Sequence, residues 1–291
     1  MPDNCVNSRI TGGSTEELFT ATVLTNHRVK YYRCNETGFI QTEQPYWLDE
    51  AYSDAITALD IGLLSRNIQK VEVAQRVLRV IAEPTSRFLD FGGGYGIFVR
   101  LMRDRGYPFE LFDTHCQPLF AKHHRLANLD FDCDRFGCVT AWEVFEHLVD
   151  PSRTIAELLQ ISDRLLFSTV LVPEPCPASA KDWWYFTPET GQHISFFTLQ
   201  SLQWIADQLG IRLYSDGVAN HLFSKEELSV NPLATAKWRS HVKRVMGRLS
   251  RSFGVSAEHE AYRDSLLQGD YDAILRSLRN SVRDDESDRE P

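Results

Sequence analysis

The chain has 291 residues, 43% of them hydrophobic and 24% charged, the composition of a folded core rather than of a disordered polymer. Its formal charge of −9 argues against general nucleic-acid binding, which needs cations to neutralise phosphates. No run approaches the ~20 apolar residues of a membrane span and no signal peptide is expected; the six cysteines form no C-x-x-C pair, so free thiols in a reducing cytoplasm are the expectation.

Residues 1–26 are polar and weakly periodic and predict a loose terminus. Val29–Cys34 and Phe39–Thr42 read as two strands around the turn Asn35-Glu36-Thr37-Gly38. A helical stretch is expected from Asp49 to Ala82, with Val73, Val77, Val80 and Ile81 at helix spacing and Pro84 as its stop. Strands and helices then alternate. Phe88–Phe91 is a strand, Ile97–Asp104 a helix ended by Gly106, and Phe109–Asp113 a strand; Pro118–Asn128 is expected to be a helix that carries His123 and His124 as surface or packing residues. Cys138–Trp142 is a strand, Pro151–Ile161 a helix, and Leu165–Val170 a strand. Short apolar strands alternating with helices predict an α/β fold, a parallel doubly wound sheet covered on both faces.

A loop rich in proline and aromatics spans Pro173 to Thr198, followed by a helix over Leu199–Leu209 and a strand over Ile211–Tyr214. The basic stretch from Lys237 to Arg251 reads as a solvated helix face, Ala257–Arg283 as helical, and the charged end as disordered. The expected division is 1–82 as an N-terminal hairpin and helical cap, 83–223 as the central domain, 224–283 as a C-terminal helical extension and 284–291 as a tail.

The chemistry concentrates at four places. Asp90-Phe91-Gly92-Gly93-Gly94-Tyr95-Gly96 ends one strand and opens a helix, where backbone N–H groups and open glycine backbone suit a nucleotide-like ligand. A dinucleotide fingerprint needs G-x-G-x-x-G, and neither glycine frame here supplies the third glycine. Asp113 ends the next strand, where a carboxylate can hold both hydroxyls of a ribose. After the strand Cys138–Trp142 comes Glu143-Val144-Phe145-Glu146-His147-Leu148-Val149-Asp150-Pro151. If it is one helical turn, Glu143, Glu146 and His147 share a face and suit a divalent cation such as Mg²⁺, Mn²⁺ or Zn²⁺; His147 alone suits a general base. Asp150 and Pro151 read as a helix cap. The fourth place is Asp182-Trp183-Trp184-Tyr185 through Gln192-His193-Ile194 to Thr198, an aromatic loop that suggests a lid or substrate wall, with His193 as a base, a fourth ligand or a residue that fixes the loop.

Asp90-x-Gly92-x-Gly94-x-Gly96, Asp113, the Glu-His segment and the W-Y-x-x-P-x-x-G-Q-H-I-x-F-F-T loop together resemble the class I S-adenosylmethionine (SAM) dependent methyltransferases over roughly Glu83–Phe223. The resemblance implies a Rossmann-like fold, with SAM held by Asp90, Gly92, Gly93, Gly94, Gly96, Asp113 and Glu143. It implies substrate contacts from Trp183, Trp184 and Tyr185, and an adenine-side acid at Asp130 or Asp132. His147, His193 and Glu146 are the catalytic candidates. The Glu-x-x-Glu-His spacing is similar to the metal-binding segment of ubiquinone-pathway and small-RNA methyltransferases, which implies a divalent metal at Glu143, Glu146, His147 and His193. The expected acceptor is a small molecule or a glycan or lipid precursor, methylated on O, N or C. Two other readings stay open: a nucleotide-cofactor (NAD-type) oxidoreductase on a similar sheet, and a catalytically inactive scaffold that binds a partner.

Overall fold

The structure, a computed structural model, describes residues 6–53, 60–83 and 86–234, together with 266, 269, 270 and 273. Ten strands and five helices follow in chain order among the described residues: β1 Thr15–Val23, β2 His27–Cys34, β3 Ile40–Thr42, α1 Leu48–Ala51, α2 Leu63–Ile81, β4 Phe88–Phe91, α3 Ile97–Arg103, β5 Phe109–Phe112, β6 Cys138–Trp142, α4 Pro151–Ile161, β7 Arg164–Ser168, β8 Ser195–Phe196, α5 Leu199–Leu209, β9 Arg212–Ser215 and β10 Asn220–Ser224. Short 3₁₀ turns lie at Asp60–Gly62, Lys122–His124, Phe145–His147 and Trp184–Phe186.

The main sheet has six strands in the order β5-β4-β6-β7-β10-β9. The pairs β4–β5, β4–β6 and β6–β7 are parallel, and β10 runs antiparallel to both its neighbours. The parallel strands are buried on both faces and accordingly read as continuous apolar runs. One face packs on α2 and α3 through Val71, Ala74, Val77, Leu78, Phe98 and Met102. The other packs on α4 and α5 through Ile155, Leu158, Leu159, Leu202, Ile205 and Ala206. This is the expected doubly wound α/β architecture.

Several local expectations are corrected. The N-terminus is not loose throughout: β1 is a nine-residue strand paired with β2. A bulge between Glu17 and Phe19 shifts its register, which breaks the alternation that would have marked it. The helix expected over 49–82 is α1 and α2, with residues 54–59 and Pro84 outside the described residues. Its buried stripe is Val71, Ala74, Val77, Leu78 and Ile81, while Val80 is 47% exposed. The helix expected over 118–128 is only the turn Lys122–His124, because Leu119 and Phe120 give their N–H groups to the Tyr95 carbonyl instead. No strand forms around Asp130 and Asp132: Asp130 Oδ1 accepts the N–H groups of Asp132 and Cys133 in its own tight turn. The antiparallel strand β10 is an element the sequence reading did not include; it closes the expected central domain, with only Ser224 in the expected extension. The basic stretch, most of the expected helix 257–283 and the tail lie outside the described residues. Of that helix, Asp270 is placed against α3, its carboxylate 2.6 Å from Arg103 Nη2 and 3.1 Å from Arg100 Nη1.

A second, antiparallel sheet has the order β1-β2-β3-β8. Its fourth strand comes from the aromatic loop, so Trp183, Tyr185, Phe186, Ile194 and Phe196 pack with Val29, Tyr31, Ile40 and Trp47 in a core of their own. The aromatic loop is therefore the inside of a second layer rather than a free lid. Trp47 Nε1 donates to the Gly191 carbonyl at 2.8 Å, and the Leu24 N–H to the Pro188 carbonyl at 2.8 Å.

The two sheets meet at Thr198, which caps α5. Its Oγ1 accepts from Ser201 N at 3.0 Å in a capping box and donates to the Thr37 carbonyl, in the turn between β2 and β3, at 2.6 Å. Thr198→Ala removes both links. We expect a loss of about 2 kcal/mol, the upper end for a cap, read as a lower urea midpoint at unchanged slope, and a much smaller loss in Thr198→Ser. Equal losses in the two variants would contradict this role of the hydroxyl.

Candidate active site

A cavity of about 1030 Å³ opens at the carboxyl ends of β4, β5 and β6, the position at which open α/β sheets bind ligands. The glycine loop forms one wall, and Gly92, Gly93 and Gly94 line it. Two of these positions exclude a side chain. Gly92 has φ +70°, and a Cβ there would lie 2.7 Å from Val144 Cγ2. A Cβ at Gly93 would lie 2.2 Å from Leu111 Cδ1 and 2.5 Å from Asp90 Oδ2. Gly96 starts α3 and turns against Ala121 outside the cavity lining.

Asp90 lies buried beneath this loop and accepts the Thr140 hydroxyl at 2.6 Å. Burial raises its pKa to about 8, against the opposing pull of the Thr140 hydrogen bond. Asp113 lines the cavity with a carboxylate that braces the loop: Oδ2 accepts Gly94 N at 2.8 Å, and Oδ1 accepts His115 N at 2.8 Å and Cys116 N at 2.7 Å. Asp130 and Asp132 do not line the cavity.

The opposite end is built by the turn after β6 and by the aromatic loop. Glu146, His147 and His193 come together there, with one potential ligand atom from each lying within 4.8 Å of the others. Glu146 is fully buried; its Oε1 accepts the Tyr185 hydroxyl, and its Oε2 has no hydrogen-bond partner among the described residues. His193 Nδ1 is 2.7 Å from the Tyr185 carbonyl, which can only accept, so Nδ1 carries the proton and Nε2 keeps a lone pair. Among the described residues His147 Nδ1 makes no hydrogen bond, the Gln192 backbone acts on the ring to raise its pKa against burial, and the two imidazoles meet edge to face with centroids 4.8 Å apart. Burial pushes the Glu146 carboxyl up to about 7 and holds His147 down at about 3 and His193 at about 4. Both histidines are thus neutral at physiological pH.

Three expectations about this region change. Glu143 does not share a face with Glu146 and His147. The segment is a 3₁₀ turn over Phe145–His147, and Glu143 itself has φ +55°, which throws its carboxylate toward α2. There Oε2 accepts Arg66 Nε at 2.9 Å, and Oε1 lies 4.0 Å from Lys70 Nζ. Trp183 is only 7% exposed, packs in the second core and does not line the cavity, whereas Trp184 is 72% exposed and stands at the mouth. Tyr185 lines the cavity, but its hydroxyl is spent on Glu146.

Residues that the motifs did not flag complete the cavity. Tyr52 stacks on His115 with centroids 5.0 Å apart. Arg66 and Lys70 enter from α2, and their four-residue spacing on a helix with an apolar stripe was the one signal that marked them.

A sequence profile described as a methyltransferase domain matches residues 65–215. The chain belongs to that family. By family it is a class I methyltransferase, and the doubly wound sheet is the fold expected from the sequence. Among solved structures, the chain is similar to TnmH, at 17% identity over 63% of this chain and 62% of that one (TM-score 0.42). It is similar to CalO1, a methyltransferase of calicheamicin biosynthesis solved with S-adenosylhomocysteine, at 19% identity over 61% and 60% (TM-score 0.39). It is also similar to a SAM-dependent methyltransferase of Thermotoga maritima, at 13% identity over 57% and 92% (TM-score 0.41). The chain thus spans less than two thirds of the length of TnmH and CalO1. No curated protein matches the sequence. No helix among the described residues is long and apolar enough to cross a membrane.

Asp90 gives this methyltransferase a testable pH dependence. Its folded pKa of about 8 lies above its ordinary 3.8, so between those values the folded chain binds a proton that the unfolded chain does not. The stability it contributes is fully present below about pH 4 and is lost as the pH rises through about 8. Thermal melts of ligand-free protein across this range should fall more steeply with pH in the wild type than in Asp90→Asn; parallel curves would contradict the assignment.

Proposed function

We propose that this methyltransferase moves the methyl group of SAM to a hydroxyl of a small or medium polar acceptor, at the end of the cavity where Glu146, His147 and His193 converge. The observation that carries this reading is the convergence itself. Among the described residues, two buried polar atoms, Glu146 Oε2 and His147 Nδ1, have no hydrogen-bond partner, and His193, whose Nε2 is left with a lone pair, stands near them. Unpartnered buried acceptors are costly, and a hydroxyl that must lose its proton suits them. The cavity is as large as the roomiest small-molecule sites, about 1,000 Å³, so donor and acceptor fit together. A small-molecule, glycan-precursor or lipid-precursor acceptor is consistent with that size.

The donor occupies the glycine-loop end, with Asp90 beneath its amino-acid part and Asp113 bracing the loop and facing its ribose. The sulfonium is already a strong electrophile, so alignment of the acceptor and exclusion of water supply much of the rate. Tyr185 performs two tasks: its hydroxyl fixes Glu146, and its carbonyl fixes the His193 tautomer that leaves Nε2 free to accept a proton. Trp184 walls the mouth.

The same three residues fit a divalent cation. Two imidazoles and a carboxylate form a set used for zinc and other first-row metals, and burial keeps both imidazoles in the neutral form that binds metal. Glu146, His147 and His193 would hold the ion, without Glu143. When bound, it lowers the pKa of the acceptor hydroxyl and orients it.

Elemental analysis of chelator-free protein should find about one divalent ion per chain in the wild type and none in Glu146→Gln or His193→Ala, with S-adenosylhomocysteine affinity unchanged. Methyl transfer in both variants should fall by about 10² or more. A metal-free wild type whose His193→Ala variant is still inactive favours the histidine as general base. Full activity in His193→Ala would overturn the assignment of this end of the cavity as the reacting end.

A further inference from the structure

A carboxylate from far along the chain is buried against α3, outside the cavity. Arg100 and Arg103 lie three residues apart on α3 and share a face, and neither lines the cavity. Asp270, 8% exposed, meets both. Its Oδ2 accepts Arg103 Nε at 2.8 Å and its Oδ1 accepts Arg103 Nη2 at 2.6 Å, a bidentate pair, and Arg100 Nη1 is 3.1 Å from Oδ2. His124, in the 3₁₀ turn Lys122–His124, brings Nε2 to 3.5 Å from the same Oδ2. The backbone joins in: the Leu266 N–H donates to the Arg103 carbonyl at 3.0 Å, and the Asp270 N–H to the Leu266 carbonyl at 2.9 Å. Without the Asp270 carboxylate, the Arg103 guanidinium, 11% exposed, would keep one hydrogen-bond acceptor among the described residues, the Phe109 carbonyl at 3.1 Å. Exposed ion pairs contribute little, but loss of one partner from a buried cluster is expensive.

Asp270 thus bridges α3 and the turn at Lys122–His124, and both lead to the glycine-loop end of the cavity. α3 starts at Gly96, and its Ile97 and Phe98 line the cavity. The turn closes the loop that follows β5, whose Thr114, His115 and Cys116 line the cavity. Polar groups tie this loop down. Asp113 Oδ1 holds the N–H groups of His115 and Cys116, the Tyr95 carbonyl accepts the Leu119 and Phe120 N–H groups at 2.9 and 3.0 Å, and the Leu126 N–H goes to the Leu111 carbonyl at 2.7 Å. Leu119 and Phe120 are 57% and 55% exposed, so the apolar anchor at the middle of the loop is Ala121, packed against Gly96. Three residues beyond that anchor, at His124, the loop faces the carboxylate that grips α3.

We propose that Asp270 is a positioning residue for donor binding: it pins the loop after β5 to α3 and so holds Thr114, His115 and Cys116 against the nucleoside part of the methyl donor. This rests on SAM as the donor, with Asp113 facing its ribose. Asp270 does not line the cavity and acts through the wall it fastens. The result is a coupling between docking at α3 and occupation of the cavity. Such a coupling is reciprocal: whatever docking adds to donor affinity, the donor adds to docking. A contact that only stabilises the fold has no such reciprocity.

The test, on the full chain, is calorimetric titration of S-adenosylhomocysteine and of 5′-methylthioadenosine, which keeps the nucleoside and the sulfur but lacks the amino-acid end. Asp270→Ala should weaken both ligands by the same factor, about 10-fold, and Asp270→Glu should retain most of the affinity. In the wild type, saturating S-adenosylhomocysteine should slow amide hydrogen exchange at Leu266 and Asp270 by about that factor. Should Asp270→Ala fail to melt cooperatively, Asp270→Asn takes its place, with a loss in the same direction for both ligands. A folded Asp270→Ala with a lower melting point and wild-type affinities would make the contact structural only and overturn the proposal. So would a loss confined to S-adenosylhomocysteine, or exchange at Leu266 and Asp270 that does not respond to it. Each of these outcomes leaves the donor reading standing, whereas a wild type that binds neither ligand would overturn both.

Discussion

The site depends on a short length of backbone where the aromatic loop crosses the turn after β6. The Ile194 N–H donates to the Glu146 carbonyl at 2.8 Å, Ser195 Oγ to the Leu148 carbonyl at 2.8 Å, and the Val172 N–H to the Phe197 carbonyl at 2.8 Å. These bonds stitch the second sheet to the carboxyl end of the first. They bring His193 against His147 although the two histidines come from different layers. Tyr185 completes the junction, with its hydroxyl on Glu146 and its carbonyl on His193. Because Tyr185, Phe186 and Phe196 are also core residues of the second sheet, the geometry of the three polar residues is tied to apolar packing. A site held in this way is preorganised, since rearranging it would require unpacking a core.

Much of the main sheet was legible because its information is local. The strands Phe88–Phe91 and Cys138–Trp142 are continuous apolar runs, and the helix Leu199–Leu209 carries its own cap and its own glycine stop. The glycine loop could be read for the same reason: its constraint is steric and acts within a few residues. β1 was hidden by its bulge, and the segment around Asp130 by the absence of any ladder to pair with. Trp183 and Trp184 show the limit most directly. They are adjacent and chemically alike, yet one faces a core and the other the cavity mouth, which depends on how the 3₁₀ turn enters the second sheet. Lys70 and Glu143 are far apart in sequence, and nothing local announces that they meet.

Glu143 is turned away from the histidine pair by its own backbone. A left-handed backbone at a non-glycine residue costs about 1–3 kcal/mol, and it persists only where the surroundings over-determine it. Here the Glu143 N–H is held by Ser168, at 3.2 Å from the carbonyl and 3.0 Å from Oγ, while the carboxylate is held by Arg66. The effect is to remove one carboxylate from the histidine pair and give it to the cations of α2. The histidine end keeps two neutral imidazoles and one carboxyl group.

That division matters for methyl transfer from a sulfonium. The donor's positive charge is spread and partly lost as the methyl group moves to the acceptor. A full anion beside the sulfur would therefore favour the ground state over the transition state and slow the reaction, since only interactions stronger in the transition state accelerate it. Burial raises Glu146 to about 7, against the opposing pull of the Tyr185 hydroxyl that it accepts, so this end of the cavity carries less negative charge than an exposed glutamate would bring. The two histidines accept protons without carrying charge themselves until they do so. On the proposed reading, weakly charged acceptors sit where the donor's charge disappears, which is the arrangement that differential binding of the transition state requires.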